Sequence, residues 1–387
     1  MPHLAVTALT VAACVAVGMA LALLGSVKLT LARQPDQADS SVRNLLSGLN
    51  LLLIPMMVVA GLAVDRWGVR PALIAGSLLL CLSFLALSAG LTYHRTLAAV
   101  AAAALGASAL HVGTVVQLPM GIFGVSEVAA SLLMGLVFVA LGGLVAPPLL
   151  DVLLTSLGFR RAMAFLALVF LAPAFLAAFP SPESFPETSD LDDLSRVLLD
   201  PRILVAGVVF FVYAPLEAFV SVWTATYLTN HGQPERQSRW LASFWGAMVV
   251  SRLLFAMVLH VIDFRNAYMA PFLVLPALLS AVVLGNMSGT TKLDRALTGL
   301  IALGLFLGPV FPMLLGILFT EIKDAGLFGS AFGMLFAFGS VGSLVLSPLV
   351  RLSASRTTIQ AAMRIPLFIA LALGATTLMF ALLQPAG

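Results

Sequence analysis

The seventh apolar run of the chain contains a carboxylate, Glu217, near its centre. An ionisable group in such a run is costly in a membrane unless it faces a cavity or a partner. Polar residues that recur every three or four positions share one face of a helix. This face is therefore predicted to contact a substrate, and the alternative is a structural hydrogen bond from Glu217 to a neighbouring helix. The polar residues of the face are Tyr213, Glu217, Ser221 and Thr224.

Arg252, in the next apolar run, is the candidate cation for Glu217. A carboxyl group that gains and releases a proton beside a cation can carry a coupled proton. The pair would form or break as the protein changes conformation. The alternative is that the guanidinium group packs against loop carbonyls.

Three further residues join the predicted substrate- and proton-binding set. His111 and Gln117 share the fourth apolar run. His111 is either a core residue whose hydrogen bonds are made within the protein or a contact for substrate or proton. Trp223 either belongs to an aromatic belt at the membrane surface or stacks on a ring-shaped substrate.

A charged segment, GLAVDRWGVR, begins at Gly61 between the second and third apolar runs. Gly61 can let two helices approach closely, and Gly68 permits a tight reversal. Asp65 can accept hydrogen bonds from helix N-terminal amides or pair with a basic residue. Arg66 and Arg70 can hold acidic or carbonyl groups at a neighbouring helix end. The alternative is a simple charged turn.

Composition indicates an all-α integral membrane protein. The chain has 387 residues, of which 61% are hydrophobic and 10% charged, whereas soluble domains carry about 25% charged residues. Basic residues are scattered singly, which argues against nucleic-acid binding. The only cysteines, Cys14 and Cys81, lie in apolar runs and form no metal-binding or disulfide pattern. No catalytic motif is present, so neither an enzyme nor a cofactor nor a bound metal is expected.

Polar and turn-forming residues divide the chain into twelve apolar runs. Each is near the length of about 20 residues that a membrane helix needs. The predicted spans are roughly 4–31, 44–64, 71–91, 97–121, 128–154, 161–179, 202–229, 239–261, 267–286, 296–320, 327–350 and 364–383.

An internal repeat divides these spans into two halves. Residues 134–150 align without gaps with residues 334–350, and seven of the seventeen positions are identical. The predicted units are an N-terminal six-helix bundle over 1–180, a cytoplasmic linker with a short interfacial helix over 181–201, and a C-terminal six-helix bundle over 202–387.

The GLAVDRWGVR segment resembles the loop signature of the major facilitator superfamily, G-x-x-x-D-R-x-G-x-R. The resemblance implies twelve transmembrane helices in two pseudo-symmetric six-helix bundles and transport by alternating access. It also implies that the loop is a cytoplasmic latch, whose bonds favour one access state. The matching loop of the second half keeps only Asp263 and Arg265 and has lost its glycines.

Fragments of spans seven, eight and ten resemble the fucose-permease-like group of proton-coupled sugar carriers. They are FVYAPLEAFVSVWTATYL, FWGAMVVSRLL and GPVFPMLLGI. Spans one and four lack the acidic residues of that group, and the nearest, Glu127, follows span four. The drug-antiporter ending G-P-x-x-G-G is absent from span five. Gly308-Pro309 and Phe311-Pro312 predict a bend in span ten, either static or part of the transport movement.

The sequence thus predicts a secondary transporter of a small polar solute, with a sugar and proton coupling as the preferred case. The alternatives are an efflux carrier for amphipathic compounds and a non-transporting assembly factor or sensor. The resemblance implies that both termini lie in the cytoplasm, and we expect a monomer in the inner (cytoplasmic) membrane. That orientation puts six Lys and Arg residues inside and thirteen outside, which opposes the positive-inside tendency.

Overall fold

The computed structural model describes residues 2–33, 40–179, 199–230, 233, 236–262, 266–290, 292–322, 325–356 and 363–383. Most of the predicted linker over 181–201 lies outside these residues. So do Asp263 and Arg265, the remnant of the latch sequence in the second half.

Helices make up the regular structure of the described residues. The first six are α1 (Pro2–Arg33), α2 (Ser40–Trp67), α3 (Val69–Ala89), α4 (Tyr93–Gly121), α5 (Val128–Val169) and α6 (Leu171–Ala178). The next seven are α7 (Pro201–Asn230), α8 (Gln237–Val261), α9 (Asn266–Gly289), α10 (Leu293–Leu307), α11 (Val310–Glu321), α12 (Phe328–Arg356) and α13 (Arg364–Leu382). A 3₁₀ turn over Ala325–Leu327 precedes α12.

The helices are those of a multi-pass membrane protein. Within the described ranges, ten helical stretches are long and apolar enough to cross a membrane. Large apolar side chains also cover exposed helix faces, such as Leu78, Leu82 and Leu85 on α3. A soluble protein rarely exposes such contiguous apolar surface. The prediction of an all-helical integral membrane protein is confirmed.

The chain forms two compact units. Unit 1 comprises Met1–Ser126, Gly135–Leu194 and Asp324–Met334, so it includes the start of α12. Unit 2 comprises Glu127–Met134, Ser195–Lys323 and Leu335–Gly387. In unit 1, α4 packs against α1, α2 and α3; in unit 2, α10 packs against α8 and α9, and α13 against α7 and α9.

Glycines let α5 and α12 approach their neighbours at equivalent points of the repeat. A Cβ atom on Gly142 of α5 would collide with the backbone carbonyl of Val15 in α1. A Cβ atom on Gly342 of α12 would collide with the carbonyl of Phe211 in α7. The shared glycine of the sequence repeat therefore serves the same close helix contact in each unit.

Three helix breaks fall within or beside the predicted spans, and one of them separates α5 from α6 at Phe170, inside predicted span six. The loop expected between spans five and six is instead a single non-helical residue, Gly158, with φ 74° and ψ 167° inside α5. Positive φ is accessible to glycine, so the chain turns there without a separate loop. Span ten divides into α10 and α11 at Gly308 and Pro309, where the sequence predicts a bend.

Candidate functional site

The break between α10 and α11 leaves a backbone carbonyl of unit 2 without its usual hydrogen-bond donor from the helix. Pro312 has no N–H group, so it cannot donate to the carbonyl of Gly308 one helical turn earlier. Arg252 of α8 replaces that donor, because its Nε lies 2.9 Å from the Gly308 oxygen. A cationic donor at this point also matches the partial negative charge of a helix C-terminus.

Tyr213 of α7 meets the carbonyl before the break. Its hydroxyl lies 3.1 Å from the oxygen of Leu307 and 2.6 Å from Oε1 of Glu217. A phenol has one hydrogen, so Tyr213 donates to one of these acceptors at a time. The ring is fixed by near-parallel stacking on Phe210 and Phe311.

Glu217 joins these two donors. Its Oε1 lies 3.7 Å from Nη2 of Arg252. The Glu217 side chain is 26% exposed and the Arg252 side chain 9% exposed. The carboxylate therefore touches both groups that hold the helix break, and it keeps an open side. We call Tyr213, Glu217 and Arg252, with the carbonyls of Leu307 and Gly308, the break network.

The rest of the predicted polar face of α7 differs from Glu217. Thr224 is buried and donates to the carbonyl of Val220 in its own helix at 2.7 Å, a bond that turns the hydroxyl back to the backbone. Trp223 is buried beside Phe219, with ring centroids 6.4 Å apart, which does not fit a residue of a surface aromatic belt. The side chain of Ser221 lies outside the described part.

His111 and Gln117 lie on α4 in unit 1, and both are buried. The ring of His111 meets that of Phe332 edge to face, with centroids 5.1 Å apart. Phe332 lies in the first turns of α12, which belong to unit 1. The predicted substrate set is thus divided, with two members in unit 1 and the others in unit 2.

The charged segment after Gly61 meets the start of α12. The Asp65 carboxylate accepts from the backbone amides of Gly329 and Ser330, at 2.7 Å each. Helix N-terminal amides lack partners in their own helix, and their dipoles favour a negative charge. A Cβ atom on Gly61 would lie 2.5 Å from the Gly329 oxygen. We call Asp65 and Gly61 with these two residues the latch.

The remaining residues of the segment lie at or near the turn into α3. Gly68 has φ 86° and ψ 168°, which starts α3 without a loop. Arg70 donates from Nε and Nη2 to the carbonyls of Ala177 and Ala178, at 2.7 Å each, and so caps the end of α6. Arg66 is exposed and makes no hydrogen bond within the described residues.

Sequence reasoning missed several partners. Leu307 and Gly308 were signalled by the nearby prolines, but their side-chain donors were not. The contact of Glu127 with His260, at 2.6 Å, joins the start of α5 to the end of α8, and the two residues are 133 positions apart in the sequence. In the described part of the chain, no group of three His, Cys, Asp or Glu residues is placed to hold a metal ion.

Comparison with known proteins gives one family and several solved structures that share the fold. The family model described as Major Facilitator Superfamily matches residues 8–347. The chain is similar to the crystal structure of the E. coli fucose:proton symporter FucP, with a TM-score of 0.80 and 14% identity over 98% of this chain and 99% of that one. It is also similar to the human organic anion transporter TETRAN, with a TM-score of 0.73 and 15% identity over 97% and 100% of the two chains.

A third similar structure is the proton:xylose symporter XylE, with a TM-score of 0.65 and 12% identity over 98% of this chain and 94% of that one. At these identities the likeness shows a shared fold. No curated protein matches the sequence.

Proposed function

Because the chain belongs to the major facilitator superfamily, whose members are membrane transporters rather than enzymes, we propose that it is a proton-coupled secondary transporter of a small polar solute, with sugars as the substrate class. The observation that carries this proposal is the break network. It places an ionisable carboxyl group with an open side against the two donors that hold a helix break. Carboxylate and guanidinium groups are also suitable partners for the hydroxyl groups of a sugar.

Protonation of Glu217 would rearrange the break network. As a carboxylate, Glu217 attracts Arg252 and accepts the hydrogen of Tyr213. As a neutral acid it loses the attraction to Arg252, and its own O–H can donate to the tyrosine oxygen. The tyrosine hydrogen then serves the carbonyl of Leu307. Proton uptake would in this way alter the support of the break between α10 and α11, where a bend can contribute to alternating access.

The latch is proposed as a gate that favours one access state. Its two amide bonds and the glycine contact hold the start of α12 beside the end of α2. Leaving that state requires the amides of Gly329 and Ser330 to lose their acceptor. Arg70 would hold the turn in shape by its bonds to the end of α6.

The finer architecture is proposed to be twelve spans in two six-helix bundles, over 1–180 and 202–387 with a linker at 181–201. The ten stretches recognised as spans omit α2, and one of them, Val128–Ala178, contains the break at Gly158. Counting α2 and dividing that stretch gives twelve. We further propose a monomer in the inner membrane with both termini cytoplasmic. His111, Gln117, Ser221, Thr224 and Trp223 are the remaining proposed substrate contacts.

Uptake by proteoliposomes tests the proton role of Glu217. Purified protein is reconstituted and supplied with a panel of hexoses, pentoses and amphipathic compounds, while solute uptake and internal pH are recorded. The wild type should accumulate a sugar when the outside is acidic. Glu217→Gln should lose this accumulation but still exchange labelled for unlabelled solute, because exchange needs no net proton movement.

Glu321→Gln is the matched control, since Glu321 is another carboxylate of unit 2 and pairs with Arg202 at 3.5 Å, away from the break. It should keep proton-driven accumulation. Substrate-driven proton movement that survives in Glu217→Gln would remove Glu217 as the carrier. No flux across the whole panel would favour the non-transporting alternative, and flux of amphipathic compounds alone would favour efflux.

Cysteine labelling of intact cells tests the orientation. Thr92 and Ser126 are exposed and lie in the connections before α4 and before α5. A membrane-impermeant reagent should label Thr92→Cys from outside and leave Ser126→Cys unlabelled. The native cysteines, Cys14 and Cys81, are buried and give little background. The reverse pattern would place both termini outside the cytoplasm.

A further inference from the structure

The turn at Gly158 repeats the turn at Gly68. Gly158 has φ 74° and ψ 167°, and Gly68 has φ 86° and ψ 168°. Each glycine is followed after one residue by an arginine, Arg160 or Arg70. Positions 71–80 and 161–170 also show the same order of buried, half-buried and exposed residues. The two turns are thus built alike, and their arginines occupy equivalent positions.

The two arginines nevertheless have different partners. Arg70 caps the end of α6 through the carbonyls of Ala177 and Ala178. The equivalent task for Arg160 would be to cap the end of α3, but Arg95 does so instead, donating from Nη1 to the carbonyl of Ala89 at 2.9 Å. Arg160 and its neighbour Arg161 make no hydrogen bond or ion pair within the described part of the chain. Both guanidinium groups are exposed.

These two arginines line an open pocket of about 470 Å³ between the end of α3 and the Gly158 turn. Its other lining residues are glycine or apolar, including Leu91, Leu157 and Phe159, and none is acidic. The pocket therefore combines an unbalanced double positive charge with an apolar wall. Ligand pockets in proteins are commonly about 300–1,000 Å³, so the space suits a small charged group.

We propose that this pocket binds the phosphate-bearing headgroup of an anionic phospholipid. Guanidinium groups match phosphate oxygens in geometry and charge. The pocket lies where α3 ends, and the exposed Leu78, Leu82 and Leu85 run along α3 toward it. Acyl chains can follow that apolar face while the headgroup meets Arg160 and Arg161. A free phosphate would bind the same arginines but would make no contact with the apolar face of α3.

Native mass spectrometry of the full-length protein tests this inference. Delipidated protein is titrated with phosphatidylglycerol and, separately, with phosphatidylcholine. The wild type should bind phosphatidylglycerol in preference. The variant Arg160→Gln/Arg161→Gln should bind it roughly tenfold to thirtyfold more weakly, as expected for two basic residues near an anionic headgroup. Phosphatidylcholine binding should not change.

The control variant is Arg236→Gln/Arg239→Gln, which removes the same charge from exposed arginines at the start of α8. It should retain most of the phosphatidylglycerol binding. Size-exclusion profiles and helix content establish that each variant is folded. Equal phosphatidylglycerol affinity in the wild type and in Arg160→Gln/Arg161→Gln would overturn the inference. A second result would also overturn it. If inorganic phosphate raised the melting temperature only when both arginines are present, and the protein showed no preference for phosphatidylglycerol, the ligand would be a free anion.

Discussion

The latch and the break network both complete a helix end with a charged side chain, but the charges have opposite sign. Asp65 accepts from two amides at the start of α12, whereas Arg252 donates to a carbonyl where α10 stops. Amides at a helix start carry partial positive charge, and carbonyls at a helix end carry partial negative charge. The sign of each side chain therefore follows from which end of a helix it meets.

The difference lies in the donors that each carboxylate holds. Both donors to Asp65 are backbone amides of one helix start, so protonation of Asp65 would weaken these bonds without offering the amides another acceptor. Glu217 instead shares Tyr213 with the carbonyl of Leu307 and pairs with Arg252, so its protonation can transfer the tyrosine hydrogen bond to the helix break. The latch therefore suits a conformational bias and the break network a proton-dependent switch in the proposed transport cycle.

Removing the cation from the break network should give the largest effect. Arg252→Met leaves both Glu217 and the Gly308 carbonyl without their partner in a largely buried setting. We expect the free energy of unfolding to fall by about 3 kcal/mol, measured by titration with a denaturing detergent. Transport should be lost, because the helix break has no cationic support.

A double-mutant cycle separates the pair from the helix break. In the Glu217→Gln background, Arg252→Met should destabilise the protein less, because no carboxylate is left unpaired. Equal losses in the two backgrounds would mean that Arg252 serves only the Gly308 carbonyl. The break network would then be, like the latch, a charged side chain that only completes a helix end.

Filling the latch contact should have the next largest effect. Gly61→Ala puts a methyl group where the Gly329 carbonyl lies 2.5 Å away, and backbone cannot yield as a flexible side chain can. Overpacking of this kind costs about 1–3 kcal/mol. Amide hydrogen exchange in the first turns of α12 should accelerate at least about tenfold.

Gly246→Ala in α8 is the matched control, since its added Cβ would meet nothing within 4 Å. Exchange at the start of α12 should equal that of the wild type. If Gly61→Ala also leaves the exchange unchanged, α12 is not held by the contact with α2, and the latch has no part in the comparison.

How far the sequence predicted these two regions depended on the range of the signal. The prolines of GPVFPMLLGI predicted a bend, and the structure has a break there, because a missing N–H acts on the chain within one turn. Asp65 had two possible partners, and helix amides were one of them. Both signals are local, so they could be read without knowing the packing.

Contacts between distant helices could not be predicted. Glu217 and Arg252 are 35 positions apart, and their 3.7 Å approach depends on how α7 and α8 rotate against each other. The helical period places a residue on a face but does not say which neighbour that face meets. The same reason hides the pairing of Asp65 with Gly329. At Gly158 the error was one of boundary: an expected loop proved to be a single residue.

Neutralising the latch without changing its shape should have a moderate effect. Asp65→Asn keeps one acceptor oxygen but turns an NH₂ group toward the second amide. A charge-assisted bond is about twice as strong as a neutral one, so the loss should be about 1–2 kcal/mol and transport roughly tenfold slower. Half-saturation by the solute, measured in proteoliposomes, should stay within about twofold. A large loss of affinity instead would assign Asp65 to substrate binding.

Removing one hydroxyl from the break network should give the smallest effect. Tyr213→Phe keeps the stacking on Phe210 and Phe311 but removes the donor shared by Glu217 and Leu307. A hydrogen bond to a charged acceptor contributes about 1.5–3 kcal/mol. A loss below this range, about 1 kcal/mol, is expected, because Glu217 keeps Arg252 and an open side and because the hydroxyl divides between two acceptors. Thr224→Val is the control: its hydroxyl bonds only to the Val220 carbonyl of the same helix in the described structure. That bond adds little to helix stability and valine has a similar shape, so the free energy of unfolding should change by less than about 0.5 kcal/mol. Equal, small losses in both variants would show that Tyr213 supports neither the carboxylate nor the break, and the proton route through its hydroxyl would have to be abandoned.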